Sequence, residues 1–145
     1  MSKFKSIDLF AGIGGIRMGF DNAFGEDIET VFVSEWDENA QKTYSANFDD
    51  KFSIAGDITK IDPDDLPDFD MFMGGFPCQP FSISGKQRGF EDSRGTLFFD
   101  VARIVKCKKP KIVFMENVYK IVTIFTMFRS DIAYSKYFVY LLYYF

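Results

Sequence analysis

The residues best suited to covalent chemistry lie in Gly74–Pro80, where a cysteine stands close to two prolines. Proline fixes the backbone angle φ, so Pro77 and Pro80 hold the Cys78 thiol in a rigid turn. Because the chain has no histidine, activation of this thiol has to come from the substrate, a basic neighbour or a helix N-terminus. The alternative for Cys78 is a small buried hydrophobe, and Cys107, among lysines on a predicted helix, fits an incidental role.

A carboxylate stands near the end of the apolar run Lys111–Val118, at Glu116 before Asn117. Burying such a group without a partner is costly. At the carboxyl end of a strand, Glu116 can face the cleft that holds Cys78 and donate or accept a proton. For Glu116 taken alone, a structural hydrogen-bonding role is the alternative.

A glycine-rich turn follows the first apolar run, Ser6–Phe10. Gly12, Gly14 and Gly15 stand where a buried strand leads into a helix, and glycines there let backbone amides approach a ligand closely. The spacing is not the six-residue dinucleotide fingerprint, because Arg17 stands where the third glycine would be. A turn that merely requires glycine is the alternative.

Three more side chains are predicted at the ends of successive strands. Glu35 lies where a carboxylate accepts hydrogen bonds from ribose hydroxyls, and the neighbouring Trp36 offers a flat face to an adenine ring. Asp57 is placed to bind the adenine amino group. An ordinary core tryptophan is the alternative for Trp36, but together with the glycine turn the three residues favour a nucleoside-bearing cofactor.

The segment Phe81–Arg94 combines Ser, Gly, Lys, Gln and Arg. It is too polar for a core and rich in hydrogen-bond donors, which suits contacts with phosphates and bases and closure over a bound nucleotide. A flexible surface loop is the alternative.

Strand-like and helix-like patterns alternate along the chain, which predicts an α/β fold with a doubly wound, mostly parallel sheet covered on both faces. Helix-compatible spacing runs from residue 16 to 25 and from residue 95 to 106, and Asp37 is a predicted cap of a helix between them. Five strands are predicted, at Ser6–Phe10, Thr30–Trp36, Phe52–Ile58, Asp70–Gly74 and Lys111–Val118.

Composition limits the classes of protein. The 145 residues suffice for one domain, and the lack of histidine excludes Ser-His-Asp triads, Cys-His dyads and histidine-based metal sites. Two cysteines and no secretory signal predict a cytoplasmic protein, with neither membrane nor metal as a partner. The net charge of −4 is unevenly distributed, because residues 71–111 are basic and residues 21–70 are acidic. The basic stretch suits local contact with phosphates, although a solvated surface would look the same.

The composition changes after Val118, because six of the seven tyrosines lie in residues 119–145. Two apolar runs flank a polar centre there, and each is too short to span a bilayer as a helix. We expect this tail not to continue the α/β unit. The strand Lys111–Val118 would then form an exposed apolar edge, which the tail could cover or with which it could aggregate.

The chain resembles the DNA (cytosine-5) methyltransferases, most nearly the HhaI-type bacterial modification enzymes. The resemblance spans about residues 6–118 and rests on DLFAGIGG, SEWD, GDI, GGFPCQPFSISGKQRGFEDSRGTLFFD and FMENV. It implies a Rossmann-like fold of the S-adenosylmethionine-dependent methyltransferase type, incomplete at its C-terminal edge, with S-adenosyl-L-methionine as cofactor and duplex DNA as substrate. By position, the cofactor-binding residues would be Phe10, Gly12, Ile13, Gly14, Gly15, Glu35, Trp36, Asp57, Ile58, Gly75, Pro77 and Leu97.

The resemblance also implies a mechanism. The target cytosine is flipped out of the DNA stack, the Cys78 thiolate adds to C6, Glu116 protonates N3, and C5 takes the methyl group. The residues expected to contact DNA are Gln79, Ser82, Ser84, Lys86, Arg88 and Arg94.

Full members of the family are about twice as long and carry an Arg-x-Arg element, a target recognition domain and a further C-terminal helix. None of these is recognisable in residues 119–145. Residues 1–118 are therefore interpreted as the N-terminal part of the catalytic domain, truncated by a frameshift near codon 118, with little activity alone. The alternatives are one subunit of a split enzyme completed by a C-terminal polypeptide, a non-catalytic cofactor-binding remnant, or, less favoured, a nicotinamide-dependent oxidoreductase.

Overall fold

Five parallel strands form one sheet in the order β2-β1-β3-β4-β5 in the computed structural model, which describes residues 3–75, 97–118 and 138–144. Strand β3 is central, with β1 and β2 on one side of it and β4 and β5 on the other, so the strand order reverses between β1 and β3. The elements, in chain order, are β1 Phe4–Leu9, α1 Gly15–Phe24, β2 Ile28–Ser34, α2 Glu38–Asn47, β3 Met71–Gly74, α3 Leu97–Lys108, β4 Ile112–Val118 and β5 Phe138–Tyr144. The predicted parallel α/β fold is confirmed.

Helix α3 covers one face of the sheet, which we call the α3 face. Its apolar side pairs Val101 and Ile104 with Phe72 of β3 and Val113 of β4 in one buried cluster. Polar side chains fasten the same helix to the loop before β3, since Arg103 donates to the carbonyl of Ile61 at 2.7 Å. The α3 face is therefore closed by both apolar packing and hydrogen bonds.

The opposite face, which we call the α1 face, carries α1 and α2 and has a more polar interior. Alternation along β1 places Ser6 and Asp8 on this face, and both side chains are fully buried. Arg17 of α1 donates to the Tyr44 hydroxyl of α2 at 2.8 Å and also pairs with Asp50. These hydrogen bonds join the two helices.

The predicted cap of α2 is confirmed. The Asp37 side chain accepts hydrogen bonds from the backbone N–H groups of Asn39 at 2.9 Å and Ala40 at 2.8 Å. A carboxylate at this position satisfies donors that have no partner within the helix, so the helix begins at Glu38.

Two predicted features are wrong. Phe52–Ile58 does not form a strand, because only Ala55 pairs with Ser34 in an isolated bridge, and Ile58 begins a short 3-10 turn. The tail was also expected not to continue the α/β unit, but it supplies β5, which pairs with β4 from Ile112 to Val118. Of the two alternatives for the edge of β4, the structure therefore supports the one in which the tail covers it. The end of the tail thus continues the sheet as a fifth parallel strand.

Candidate active site

The candidate site lies where β1, β2, β3 and β4 end. In an open parallel sheet, ligands bind beyond the carboxyl ends of the strands, at the point where the strand order reverses. Here that point lies between β1 and β3, and the glycine turn follows β1. The fold therefore places the turn beside the end of β3. The residues that follow β3, up to Pro80, are called the Cys78 segment below.

The turn after β1 depends on unusual backbone conformations. Phe10, Gly12 and Gly14 have φ angles of 57°, 55° and 90°. A Cβ on Gly14 would lie 2.2 Å from a ring carbon of Phe48, so a side chain there meets both backbone strain and a steric clash. A Cβ on Gly12 would meet no atom of the described residues within 4 Å, which leaves open space on that side of the turn in this part of the chain.

Glu35 fixes this turn, a role that the sequence did not reveal. One carboxylate oxygen accepts the Gly12 N–H at 2.8 Å, and the other accepts the Asp37 N–H at 2.8 Å. Glu35 is buried, yet a carboxylate offers about four acceptor positions, so lone pairs are left for ribose hydroxyls. Glu35 thus connects the end of β2 to the glycine turn.

Asn47, at the end of α2, is a second positioning residue that sequence reasoning missed. Its amide nitrogen donates to the carbonyl of Ile13 at 3.1 Å. The turn is thereby held from two sides, by Glu35 and by Asn47. No sequence signal marked Asn47, because the contact joins residues 34 positions apart.

Trp36 follows Glu35 at the end of β2, and Asp57 comes two residues after Ala55, which bridges to β2. The Trp36 side chain is 82% exposed, which rules out the alternative of a core tryptophan. Asp57 caps the turn Ile58–Lys60, and hydrogen bonds from the Thr59 hydroxyl and backbone hold the pKa of Asp57 below its usual value. Ile58 is buried against the α3 face.

Glu116 lies beside the start of the Cys78 segment. Gly75 lies three residues before Cys78 in the sequence, and a Cβ on Gly75 would be 2.8 Å from a carboxylate oxygen of Glu116. A Cβ on Gly74 would lie 2.5 Å from the carbonyl oxygen of Leu9, so only glycine allows β1 and β3 to approach this closely. Leu97, at the start of α3, packs against the α3-face core.

Several predicted residues lie outside the described part of the chain, which omits residues 76–96. They are Pro77, Cys78, Gln79, Ser82, Ser84, Lys86, Arg88 and Arg94.

Asp8 is a buried carboxylate for which no function was predicted. Among the residues that the structure describes, neither of its oxygens has a hydrogen-bond partner. Burial raises the pKa of the Asp8 carboxyl to about 7; the charge of Arg17 opposes this shift, and that of Glu35 adds to it. The signal was present in the sequence as an acid inside the apolar run Ser6–Phe10.

Within the described residues, no helix is long and apolar enough to cross a membrane. The same part of the chain holds no group of three or more Cys, Asp or Glu residues that could bind a metal ion.

A parallel α/β sheet with a glycine turn after β1 and a carboxylate at the end of β2 defines a Rossmann-like nucleoside-binding class. The sequence profile of the C-5 cytosine-specific DNA methylases matches residues 4–128, and the chain belongs to that family. The resemblance inferred from the sequence motifs is confirmed.

Named relatives agree with this assignment. The chain is 56% identical over 123 residues to the type II methyltransferase M.HaeII of Haemophilus aegyptius, a match that covers 85% of this chain and 37% of the relative. It is 57% identical over 114 residues to M.HhaI of Haemophilus parahaemolyticus, which covers 79% of this chain and 33% of that protein. The chain therefore spans about a third of the length of these relatives.

Solved structures share the fold. The Entamoeba histolytica methyltransferase EhMeth matches with a TM-score of 0.75 at 23% identity, over 90% of this chain and 43% of that one. A Spodoptera frugiperda DNMT2 variant matches with a TM-score of 0.72 at 25% identity, over 90% of this chain and 41% of that one. The chain therefore shares the fold of these methyltransferases and covers less than half of each of them.

Proposed function

We propose that this chain carries the cofactor site and the nucleophile of an enzyme that methylates C5 of cytosine in duplex DNA. The observation that carries the proposal is the position of Glu116, whose carboxylate lies against Gly75, three residues before Cys78. An acid at the same strand ends as the glycine turn, with a thiol three positions after Gly75 in the sequence, suits addition to a pyrimidine ring.

The geometry of the strand ends fits S-adenosyl-L-methionine. Gly12 has open space beside it, the turn is fixed by Glu35, and the Trp36 ring is exposed for stacking. Phe10, Gly12, Ile13, Gly14 and Gly15 would line the methionine part, and Gly75, Pro77 and Leu97 would close the pocket. Glu35 would bind the ribose, and Trp36, Asp57 and Ile58 would hold the adenine. When bound, this cofactor supplies an electrophilic methyl group on a sulfonium.

The protein's own groups would carry the rest of the reaction. The Cys78 thiolate adds to C6 of a flipped-out cytosine, and Glu116 protonates N3, so that the electron pair gathers at C5. C5 would then take the methyl carbon, whose bond to the sulfonium breaks with the electron pair left on sulfur. Loss of the C5 proton to a base would form the C5–C6 double bond and expel Cys78 as the thiolate, and N3 would return its proton to Glu116.

The DNA would be bound by the segment after Cys78. Gln79, Ser82, Ser84, Lys86, Arg88 and Arg94 supply amide, hydroxyl and cationic donors of the kinds that contact phosphates and bases. The basic character of residues 71–111 supports this assignment.

Because the chain spans about a third of its relatives, we propose that it has little activity alone. We consider three explanations for the short chain: a frameshift near codon 118, a split enzyme whose second polypeptide supplies DNA recognition, and an inactive cofactor-binding remnant. Translating the downstream DNA in the other two frames tests the frameshift, and the absence of an Arg-x-Arg continuation there would exclude it. We also propose a cytoplasmic location, because an enzyme that methylates DNA needs access to DNA and the named relatives are bacterial methyltransferases.

The test is transfer of labelled methyl from S-adenosyl-L-methionine to unmethylated duplex DNA, with and without the remaining part of M.HaeII. Cys78→Ser should abolish any transfer, whereas the matched control Cys107→Ser should leave it unchanged, because Cys107 is exposed on α3. Transfer that survives Cys78→Ser would contradict the proposed nucleophile. Cys78-dependent transfer by the chain alone would contradict its low activity.

The covalent step has its own test. With 5-fluorocytosine in the DNA, no proton is available for removal from C5, so the bond between Cys78 and C6 should persist. A complex that survives denaturation and disappears in Cys78→Ser is the expected result. Methyl transfer without such a complex would contradict the covalent route.

A further inference from the structure

Arg103, on α3, binds the backbone of the short turn that follows Asp57. Its guanidinium donates to the carbonyl oxygen of Ile61 at 2.7 Å and to that of Ile58 at 3.3 Å. Asp100, one turn earlier on α3, accepts from the same guanidinium at 3.1 Å and keeps it in place. Because a guanidinium is planar and has five N–H donors, one side chain can hold two carbonyl groups at once. Helix α3 thereby fixes the far side of this turn.

The residues just before the turn are held from the opposite side, by β2. Ala55 forms the isolated bridge with Ser34, and the Ser34 hydroxyl donates to the carbonyl oxygen of Gly56 at 2.7 Å. Asp57 therefore lies between two attachments, one to the end of β2 and one to α3 through Arg103.

The Asp57 carboxylate takes its direction from the turn itself. Its Oδ1 accepts hydrogen bonds from the Thr59 N–H at 3.0 Å and from the Thr59 hydroxyl at 2.8 Å. Its Oδ2 lies 3.9 Å from the exposed ammonium of Lys60, which is beyond hydrogen-bond distance. The side chain is 39% exposed, so a ligand can reach Oδ2. Because both bonds to Oδ1 come from inside the turn, Oδ2 keeps its place only while the turn does.

A second cation of α3 provides a comparison. Lys108 donates to the carbonyl oxygen of Leu66 at 2.6 Å, in the same loop before β3. Leu66 comes nine residues after Asp57, beyond another short turn, Pro63–Asp65. Both cations attach α3 to this loop, but of the two Arg103 is the one that contacts the turn at Asp57.

We propose that Arg103 is a positioning residue for the adenine end of the cofactor pocket and, through Asp57, sets its preference for a 6-aminopurine. Arg103 does not touch the nucleoside. It holds the turn so that Oδ2 of Asp57 accepts a hydrogen bond from the amino group of the base. This inference rests on the proposed function, in which Asp57 binds adenine, but it concerns the choice of base and not methyl transfer.

The test measures the choice of base directly. The 145-residue chain is titrated in a calorimeter with S-adenosyl-L-homocysteine and with the analogue whose purine lacks the 6-amino group. The unchanged chain should bind the first compound at least about tenfold more tightly, because a site built to accept an N–H rejects a ligand without one.

Variants of the two cations separate positioning from general stabilisation. Arg103→Met should reduce the preference to about threefold or less, because the turn is released on its α3 side. Arg103→Lys, which can still donate to one carbonyl group, should give an intermediate preference. The matched control Lys108→Met removes a bond between α3 and the same loop, yet it should keep the full preference.

A second measurement needs no ligand. Hydrogen exchange of the Thr59 and Lys60 amides, followed by NMR, reports the turn itself, because these N–H groups donate to Oδ1 and to the carbonyl oxygen of Asp57. Arg103→Met should speed this exchange at least about fivefold relative to Lys108→Met.

Other outcomes overturn the proposal. Equal loss of preference in Arg103→Met and Lys108→Met would mean that α3 only stabilises the loop. Normal binding with an unaltered preference in Arg103→Met would contradict the role of Arg103 while leaving the proposed function intact. Failure of the unchanged chain to bind either compound would contradict the proposed cofactor site and this role with it. If Arg103→Met has an altered circular dichroism spectrum, Arg103→Gln, which is too short to hold both carbonyl groups, replaces it under the same criteria.

Discussion

The two faces of the sheet differ in how completely they are built. On the α3 face, Ile104 and Phe72 are fully buried in one apolar cluster, and Arg103 binds the loop before β3. On the α1 face, the buried carboxylate of Asp8 has no hydrogen-bond partner among the described residues, and Phe24 is more than half exposed beside an apolar groove. The α3 face is thus closed by apolar packing and hydrogen bonds, whereas the α1 face leaves an apolar groove open between α1 and the strands.

The largest effect is expected on the closed face. Ile104→Ala should lower the free energy of unfolding by about 4 kcal/mol, because it removes buried methyl groups and leaves a cavity that rigid neighbours do not fill. Urea unfolding followed by circular dichroism measures this, with Met18→Ala as the exposed control. A loss below about 1 kcal/mol would mean that the α3 face is loosely packed.

The next effect tests the polar interior of the α1 face. The pKa of Asp8 is raised to about 7, so the folded state binds a proton that the unfolded state has already released, and stability falls as pH rises from about 4 to about 7. Asp8→Asn has no ionisable group at this position, so the variant does not lose stability through this proton as the pH rises. Relative to the unchanged chain, the variant should therefore be more stable at pH 8 than at pH 5 by about 3 kcal/mol.

Urea unfolding of both proteins at the two pH values checks the Asp8 prediction. Asp62→Asn, on an exposed loop, is the control for a general effect of removing one acid. If the stability difference between Asp8→Asn and the unchanged chain does not vary with pH, Asp8 is paired with a group that satisfies it.

A smaller effect is expected where the α1 face meets the candidate active site. Glu35→Gln keeps the shape but turns an NH₂ group toward the backbone N–H of Gly12 or Asp37, which loosens the glycine turn. The dissociation constant for S-adenosyl-L-methionine should rise about tenfold, equivalent to one charge-assisted hydrogen bond. Isothermal titration calorimetry measures it, and Glu38→Gln on the exposed start of α2 should bind as before. Equal affinities for both variants would contradict the positioning role of Glu35.

The smallest effect separates the groove from the core. Phe24→Ala should change the free energy of unfolding by less than about 0.5 kcal/mol, because the side chain is mostly exposed in the chain alone. The same urea experiment as for Ile104→Ala provides the comparison. A loss of several kcal/mol would show that Phe24 already belongs to a closed core, and the contrast between the two faces would fail.

Much of the candidate site could be predicted because its residues follow strands in the sequence. Gly12, Glu35 and Glu116 each stand at or near the end of an apolar run, and parallel strands bring those ends together. The Asp37 cap was predictable for a different reason, because its hydrogen bonds join residues only two and three positions apart. Contacts between near neighbours in the sequence can be predicted from local patterns.

Contacts between distant residues were decided only by the tertiary structure. Phe52–Ile58 has the composition of a strand, but only Ala55 reaches a partner, in β2. Residues 138–144 were expected to lie outside the α/β unit, yet they pair along β4, because an open strand edge offers hydrogen bonds to any extended segment of sufficient length.

The sequence by itself determined the family, the alternation of strands and helices up to β4 and the chemical groups at the strand ends, because motifs and hydrophobic periodicity are properties of neighbouring residues. The tertiary structure decided that Glu35 fixes the glycine turn, that Asp8 is buried with no partner in the described part of the chain and that the α1 face carries an open groove. Each of these depends on which side chains from different elements meet, and no local pattern of residues specifies that.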